Sequence, residues 1–441
     1  MKGLFGPLSA ETLQLMRSVP ALINKSFPLP GRFRSGLAAD VAELSRLQTS
    51  SRGERCLSYL SRPNHLSAYL RYFFPWNIFR LCKLLPNLDI SLSPGDAIVD
   101  LGCGPMTLAA ALWISRPELR KIPLELRCID HTAPVLEAGK KIFQAISGPA
   151  CSWKITGIRG SIGADGTISF GTGKRQGSVV RGNPHTGAVR GKPAALVCAV
   201  NVFNEIYKKV SPNDRNGLKN AAAHSAKLLE SCAADIASVL VVEPGLPFAG
   251  EFISCLRDEL VKKKRFPFAP CPHCNACPMP GGGSGPGKKR WCHFAFDTTE
   301  APADLQRLSA AAGIPKDRAV LSFLFSGWQQ TVSRNQQPRP EGRDIKPLIT
   351  NKSADKDRAA HQNLHHTKPG KDLSVRIISD AFPLPERKYG RYGCSEQGLI
   401  LAVGRKAAVE ACASGSLIKM AVNPNEERDP KSGALVLSVE L

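Results

Sequence analysis

Apolar residues recur at helical spacing through the first ninety positions. LAADVAELSRL (37–47) and HLSAYLRYFFPWNIFRLCKLL (65–85) each carry such a stripe, and Pro86 stops the second. Residues 1–93 are therefore expected to form a helical cap. Tyr69, Tyr72, Phe73, Phe74 and Trp76 are assigned to its core rather than to a base-stacking face. At residue 94 the pattern changes. SPGDAIVDLGCGPMTLAAALWI reads as a turn, a buried strand over Ala97–Leu101, a glycine turn and a helix. LELRCID, ALVCAVNVFNEI, SVLVVEPG and VLSFLFSGW are further apolar runs of strand length, and GEFISCLRDELVKKKRF is an amphipathic helix. Buried strands alternating with helices predict an α/β, doubly wound, Rossmann-like core.

That core is expected over residues 94–327, with an insertion at 157–193. The stretch 154–192 is Gly-rich and holds seven Lys/Arg against one acid, Asp165, which reads as an inserted mobile loop or an RNA-contacting arm. Residues 328–372 are polar and aperiodic, so a disordered or inserted linker is expected there. Short strands at SVRIIS, GLILAV and ALVLSVE then predict a small β-rich C-terminal part over 373–441.

The first strand delivers Asp100, Gly102 and Gly104 to the start of a helix. Glycines let the backbone approach a ligand closely, beside the positive end of the helix dipole. Asp130 ends the second strand, where a carboxylate can accept from two ribose hydroxyls, and Asn201 ends ALVCAV at the edge where open sheets bind ligands. The region resembles S-adenosylmethionine-dependent methyltransferases, which implies a cofactor site built from Asp100, Gly102, Gly104, Asp130 and Asn201. Departures from the pattern stand against turnover. Met106 takes the third small position of the loop, where its bulk is expected to narrow the approach to the methionine part of the cofactor. Ala194 and Ala195 stand where the pattern has an acid, and NVFNE lacks the Asn/Asp-Pro-Pro-aromatic run of base-methylating enzymes. No catalytic side chain is assigned.

Residues 241–294 carry the densest chemistry. Cys271, Cys274 and Cys277 fall within seven residues among Pro270, Pro272 and Pro278, and Cys292 follows Trp291. Prolines are poor material for a core strand or helix, so the segment reads as a stiff loop whose thiols converge on zinc or an iron–sulfur cluster. His273, His293 and a distant cysteine compete for a further ligand place, and Cys394 in RYGCSEQGLILAV is the best distant candidate.

EPG at 243–245, APCPH at 269–273, CP at 277–278 and WCHF at 291–294 together resemble the methyltransferase-like proteins of the small ribosomal subunit. That family comprises the mitochondrial small-subunit assembly factor and its bacterial relatives. The resemblance runs from about residue 40 to 330 and resumes near 373. It implies a 4Fe-4S cluster held by Cys271, Cys277, Cys292 and Cys394, with zinc as the alternative; Cys274 is extra and GGGSGPGKK reads as inserted. It also implies binding to small-subunit ribosomal RNA during assembly or translation. The fold would serve there either without turnover or as an active RNA methyltransferase; a zinc-ribbon RNA-binding protein is a third reading.

Charge agrees with a nucleic-acid partner. The 59 Lys and Arg against 37 Asp and Glu leave +22, a field that attracts phosphate backbones. Basic runs at Lys262–Arg265 and Lys288–Arg290 flank the cysteine loop. No apolar run approaches twenty residues, so no membrane partner is expected, and a monomer is expected when free. Fourteen cysteines without a secretory signal favour a reducing compartment, with the cytoplasm as the expectation. The acid-poor N-terminus with Arg17, Lys25, Arg32 and Arg34 makes the mitochondrial matrix the alternative.

Overall fold

The computed structural model describes residues 3–48, 59–170, 191–207, 210–211, 214–279, 290–328, 372–422 and 427–439. The cap contains α1 (Ala10–Ser26), α2 (Gly31–Arg34), α3 (Leu37–Gln48), α4 (Pro63–Ala68) and α5 (Phe74–Leu84), with a π turn at Tyr69–Phe73 joining the last two. Ser9 starts α1 by accepting from the Thr12 amide at 3.2 Å. Tyr72, Phe74 and Trp76 are buried. They are held there because α1 and α5 pack on α6 (Thr107–Ser115), an apolar helix buried along its whole length. A helix apolar all round needs cover beyond its own sheet, and the cap supplies it.

The core sheet is built from β1 (Ala97–Leu101), β2 (Glu125–Asp130), β3 (Lys154–Ile162), β4 (Ile168–Phe170), β5 (Ala194–Val200), β6 (Ala233–Pro244), β7 (Arg265–Ala269), β8 (Phe294–Asp297) and β9 (Arg318–Trp328). Its order is β4-β3-β2-β1-β5-β6-β9-β7, with β8 also on β9. Strands β3, β2, β1, β5 and β6 run parallel, whereas β9 is antiparallel to β6, β7 and β8. The connecting helices are α7 (Ala133–Ser147), α8 (Phe203–Ile206), α9 (Arg215–Cys232), α10 (Pro247–Lys262) and α11 (Ala303–Ala311). Winding proceeds outward from β1 in both directions, which makes the carboxyl ends of β1 and β5 the switch point where such sheets bind ligands. With its antiparallel β9, this is the Rossmann-like sheet of S-adenosylmethionine methyltransferases.

The far edge of β9 is shared. β7 pairs with its Phe325–Trp328 half and β8 with its Arg318–Leu321 half. The cysteine loop leaves the sheet between these two half-strands, so both its ends are anchored on one strand. A second sheet, in the order β14-β10-β12-β13-β15, follows: β10 (Leu373–Ile377), β11 (Phe382–Pro383, on β12), β12 (Tyr389–Ser395), β13 (Gly398–Gly404), β14 (Leu417–Met420) and β15 (Leu435–Val439). It docks on the core through Arg376, which donates to the Pro270 carbonyl at 2.9 Å while a second bond, to the Gly415 carbonyl at 2.8 Å, holds it within its own part.

One boundary needs correction. Residues 157–162 belong to β3, not to an insertion: Glu125–Asp130 pair in parallel with Lys154–Arg159, and β4 folds back on β3. Glycine misled the reading, since in this strand it marks close packing rather than a loop. A side chain at Gly160 would press within 3.4 Å of Ile129, Ile168 and Phe170. Of the rest of the expected insertion, Ile168–Phe170 form β4 and residues 171–190 lie outside the described residues, as does most of the expected linker, 329–371.

Candidate functional site

The five residues expected to hold a cofactor gather at the carboxyl ends of β1, β2 and β5. Gly102 and Gly104 take positive φ, 64° and 54°, which bends the chain from β1 into α6. Asp130 accepts from the Gly104 amide at 3.0 Å and the Thr132 amide at 2.9 Å, tying the ends of β1 and β2 together. Each of its oxygens keeps a lone pair for a further donor. Asp100 is buried, and among the described residues neither of its carboxylate oxygens has a partner; Asn201 Oδ1 is likewise buried and without one there. Burial, with Asp130 nearby, pushes the Asp100 carboxyl well above the usual carboxylate range. Orphaned acceptors beside a glycine turn fit a ligand rich in donors and positive charge, as S-adenosylmethionine is.

Met106 behaves differently from the expectation. It adopts φ 59° at the start of α6 and is fully buried. Its Cε lies 3.6 Å from the position a Cβ on Gly157 would occupy. The missing side chain of Gly157 in β3 thus makes room for the extra bulk in the core. The side chain that crowds the turn is Val202, whose Cγ2 would stand 2.2 Å from a Cβ on Gly102. From the cap, the Tyr69 hydroxyl comes within 3.8 Å of the equivalent point on Gly104. Burial, then Asp130 and Glu205, push that phenol up to about 12.

Glu243, quoted in the sequence only as part of EPG, organises the β5 side. Its carboxylate is fully buried, with Oε1 accepting from the Phe203 amide at 3.0 Å. Oε2 accepts from the Asn204 amide and the Tyr207 hydroxyl, each at 3.2 Å. It therefore caps the four-residue α8 and holds the turn after Asn201 in place. An acid ending the apolar run VLVV was the available signal.

Of the cysteines in and around the loop, Cys271, Cys277, Cys292 and Cys394 line one cavity, and Cys274 is exposed outside it. Cys394 arrives from β12, directly opposite Arg376 of β10, so both side chains share a sheet face. Burial raises three of these thiols: Cys271 is pushed up to about 11, and Cys292 and Cys394 are raised further. Among the described residues no three His, Cys, Asp or Glu converge on a single-ion site. His273 Nε2 lies 3.2 Å from Cys394 Sγ, whereas His293 stacks on Trp291 at 4.7 Å.

Two arginines complete this cavity, and the sequence reading missed both. Arg257 donates to the carbonyls of His273 at 3.0 Å and Asn275 at 2.6 Å, so it clamps the cysteine loop to α10. Its Nε is buried and has no partner among the described residues. Burial draws the Arg376 guanidinium down to about 10, against the opposing pull of Cys271, Cys292 and Cys394. Four thiols, two buried cations and, among the described residues, no carboxylate in the lining suit an anionic thiolate-bound centre. The signal for Arg257 was its position in the apolar stripe Ile253, Leu256, Leu260 of α10, where a charge demands a buried partner.

The basic run after α10 also divides. Lys262, Lys263 and Lys264 are exposed, although Lys262 pairs with Glu259 at 2.6 Å. Arg265 is buried, bonded to Glu230 and to the carbonyls of Ala237 at 2.5 Å and Ala234 at 3.1 Å, and so cannot serve as a phosphate contact. Of the second run, Lys288 and Lys289 lie outside the described residues, and Arg290 donates to the Ser432 carbonyl at 2.7 Å.

Fold and glycine turn define the class, a Rossmann-like S-adenosylmethionine methyltransferase-type protein. A profile of the family described as mitochondrial small ribosomal subunit Rsm22 matches residues 192–336, from β5 through β9 with the cysteine loop between. No curated protein matches the chain by sequence. Solved structures resemble it loosely. A class I S-adenosylmethionine-dependent methyltransferase of Listeria monocytogenes shares 11% identity, covering 75% of this chain and 90% of that one, with a TM-score of 0.31. Magnesium protoporphyrin IX methyltransferase of Synechocystis, solved with S-adenosylhomocysteine, shares 11% over 66% of this chain and 99% of its own, with a TM-score of 0.26. The fold assignment rests on the strand order above.

Proposed function

We propose that the protein is a small-ribosomal-subunit assembly or translation factor that binds ribosomal RNA through its methyltransferase-like fold. The observation that carries this reading is the family match over 192–336, which encloses the cysteine loop. The net charge of +22 supports a phosphate-rich partner. Cys271, Cys277, Cys292 and Cys394 are the proposed ligands of a 4Fe-4S cluster, with zinc as the alternative occupant. The centre's task is structural. It would fasten the loop between β7 and β8 to β12, while Arg257 and Arg376 offset the charge of the thiolates.

S-adenosylmethionine would bind at the glycine turn and, when bound, supplies an electrophilic methyl group. Asp130 would hold the ribose hydroxyls, and Asp100 and Asn201 would accept from the donors of the methionine part. The first reading is binding without turnover, since the chain has no base-methylation motif after β5. Active RNA methylation is the second reading, favoured by the retained acceptors Asp100, Asp130 and Asn201. Cytoplasm remains the expected compartment, and the family's description favours the mitochondrial alternative.

Sedimentation at low salt tests the partner: comigration with small subunits or their precursors is expected, and comigration with neither would overturn the reading. Sequencing small-subunit RNA from a deletion strain separates the two modes, because a lost methyl group requires turnover. Visible absorbance of anaerobically purified protein separates an iron–sulfur cluster from zinc, which is colourless.

A further inference from the structure

A cleft of about 460 Å³ opens between α5 and the turn leading into β9, lined by Trp76, Arg80, Lys316, Asp317, Arg318 and Val320. Lys316 Nζ stands 5.2 Å from the ring centres of both Tyr72 and Trp76. Arg80 donates Nη1 to the Val320 carbonyl at 3.2 Å and Nη2 to the Asn77 side-chain oxygen. A guanidinium has five donors, so these two bonds leave others to spare. Neither Lys316 nor Arg80 is ion-paired with a carboxylate among the described residues. The other charges of the cleft are accounted for: Arg318 is bound to Asp380 at 2.8 Å, and Asp317 sits exposed at the rim. Burial first, and the neighbouring Arg80 second, hold the Lys316 ammonium down to about 7.

A chain of contacts leads from the cleft to the glycine turn. Asn77, which accepts from Arg80, is also within hydrogen-bonding reach of Tyr69, the residue whose hydroxyl approaches Gly104. On its other side, Val320 packs against Gly245 at the end of β6, on the ligand-binding rim of the sheet. We propose that this cleft is a phosphate-binding subsite, in which Lys316 and Arg80 grip one phosphodiester of a nucleic-acid strand laid across the rim. The source of the phosphate rests on the RNA-binding reading above; recognition of the anion does not.

The test compares the full chain with Lys316→Met, which keeps an unbranched stem against Tyr72 and Trp76 but no charge, and with Lys316→Arg. Binding of a short, labelled single-stranded oligoribonucleotide is followed by anisotropy over a range of salt. Lys316→Met should weaken binding about three- to tenfold at low salt and flatten the slope of log K against log salt by about 0.7, the share of one phosphate on a single strand. Lys316→Arg should restore both. Equal affinity and equal slope for wild type and Lys316→Met overturn the subsite and leave the RNA reading standing. A wild type that binds no RNA defeats the RNA reading, and inorganic phosphate then decides. Broadening of its phosphorus resonance by wild type but not by Lys316→Met supports an anion site filled from a small-molecule source. No broadening by wild type overturns it.

Discussion

Replacing Glu243 by Gln should change how stability depends on pH, and the size of the change follows from the structure. The carboxylate is fully buried and accepts three hydrogen bonds, from the Phe203 and Asn204 amides and the Tyr207 hydroxyl. Desolvation outweighs those bonds and pushes the acid up to about 7 from its ordinary 4.5. A folded value above the unfolded one means that the folded protein holds more protons between these limits. The stabilisation is fully present below about 4.5 and is lost as pH rises through about 7. A gap of that size corresponds to ~3 kcal/mol. Glu243→Gln cannot titrate, and its amide nitrogen cannot accept from one of the donors now served by Oε2, so the variant carries a fixed cost of roughly 1–3 kcal/mol. Urea unfolding of both proteins at a series of pH values isolates the effect, because all other titrating groups cancel in the difference. Relative to wild type, the variant should gain ~3 kcal/mol between about pH 4.5 and pH 8. Parallel profiles across that window would refute the reasoning and place the carboxylate in contact with water or a cation.

Serine substitution of Cys271, Cys277, Cys292 or Cys394 should empty the proposed centre and loosen the C-terminal sheet, because metal binding and local folding are coupled; iron per chain and limited proteolysis report both. Cys274→Ser should keep its iron, and an emptied site in that variant with a full one in Cys394→Ser would reverse the assignment. Asp130→Ala should weaken S-adenosylmethionine binding about ten- to hundredfold by calorimetry, since a hydrogen bond to a charged group contributes roughly 1.5–3 kcal/mol. Removing Lys262, Lys263 and Lys264 together should lower both RNA affinity and its salt slope while iron content stays constant. An unchanged slope would move the RNA-facing surface elsewhere.

Much of the core was legible because its cues are local. Ala97–Leu101 reads as a buried strand and forms one, since four apolar residues and one acid between turn residues have few other ways to satisfy their backbone. The glycine turn, Asp130 and the strand ending at Asn201 were placed for the same reason. The stretch 154–162 was misread because glycine carries two meanings, turn and close approach, and composition does not separate them. In β3 the neighbours decide: Met106 and Leu136 lie against Gly157, and Ile129 against Gly160.

The sequence by itself determined the period of the helices and of most buried strands, and the cysteine-dense block, because spacing along a chain is all that those features require. Tertiary structure alone decided what converges. The contact between His273 and Cys394 spans 121 residues, and Arg376 meets Pro270 across 106. No local pattern encodes such pairings. They exist because β9 carries the cysteine loop between two half-strands on its far edge, and because the second sheet sets Arg376 and Cys394 opposite each other at the loop's open side. The same holds for Glu243, whose acid is unremarkable in sequence and becomes a buried triple acceptor only when β6 ends beneath α8.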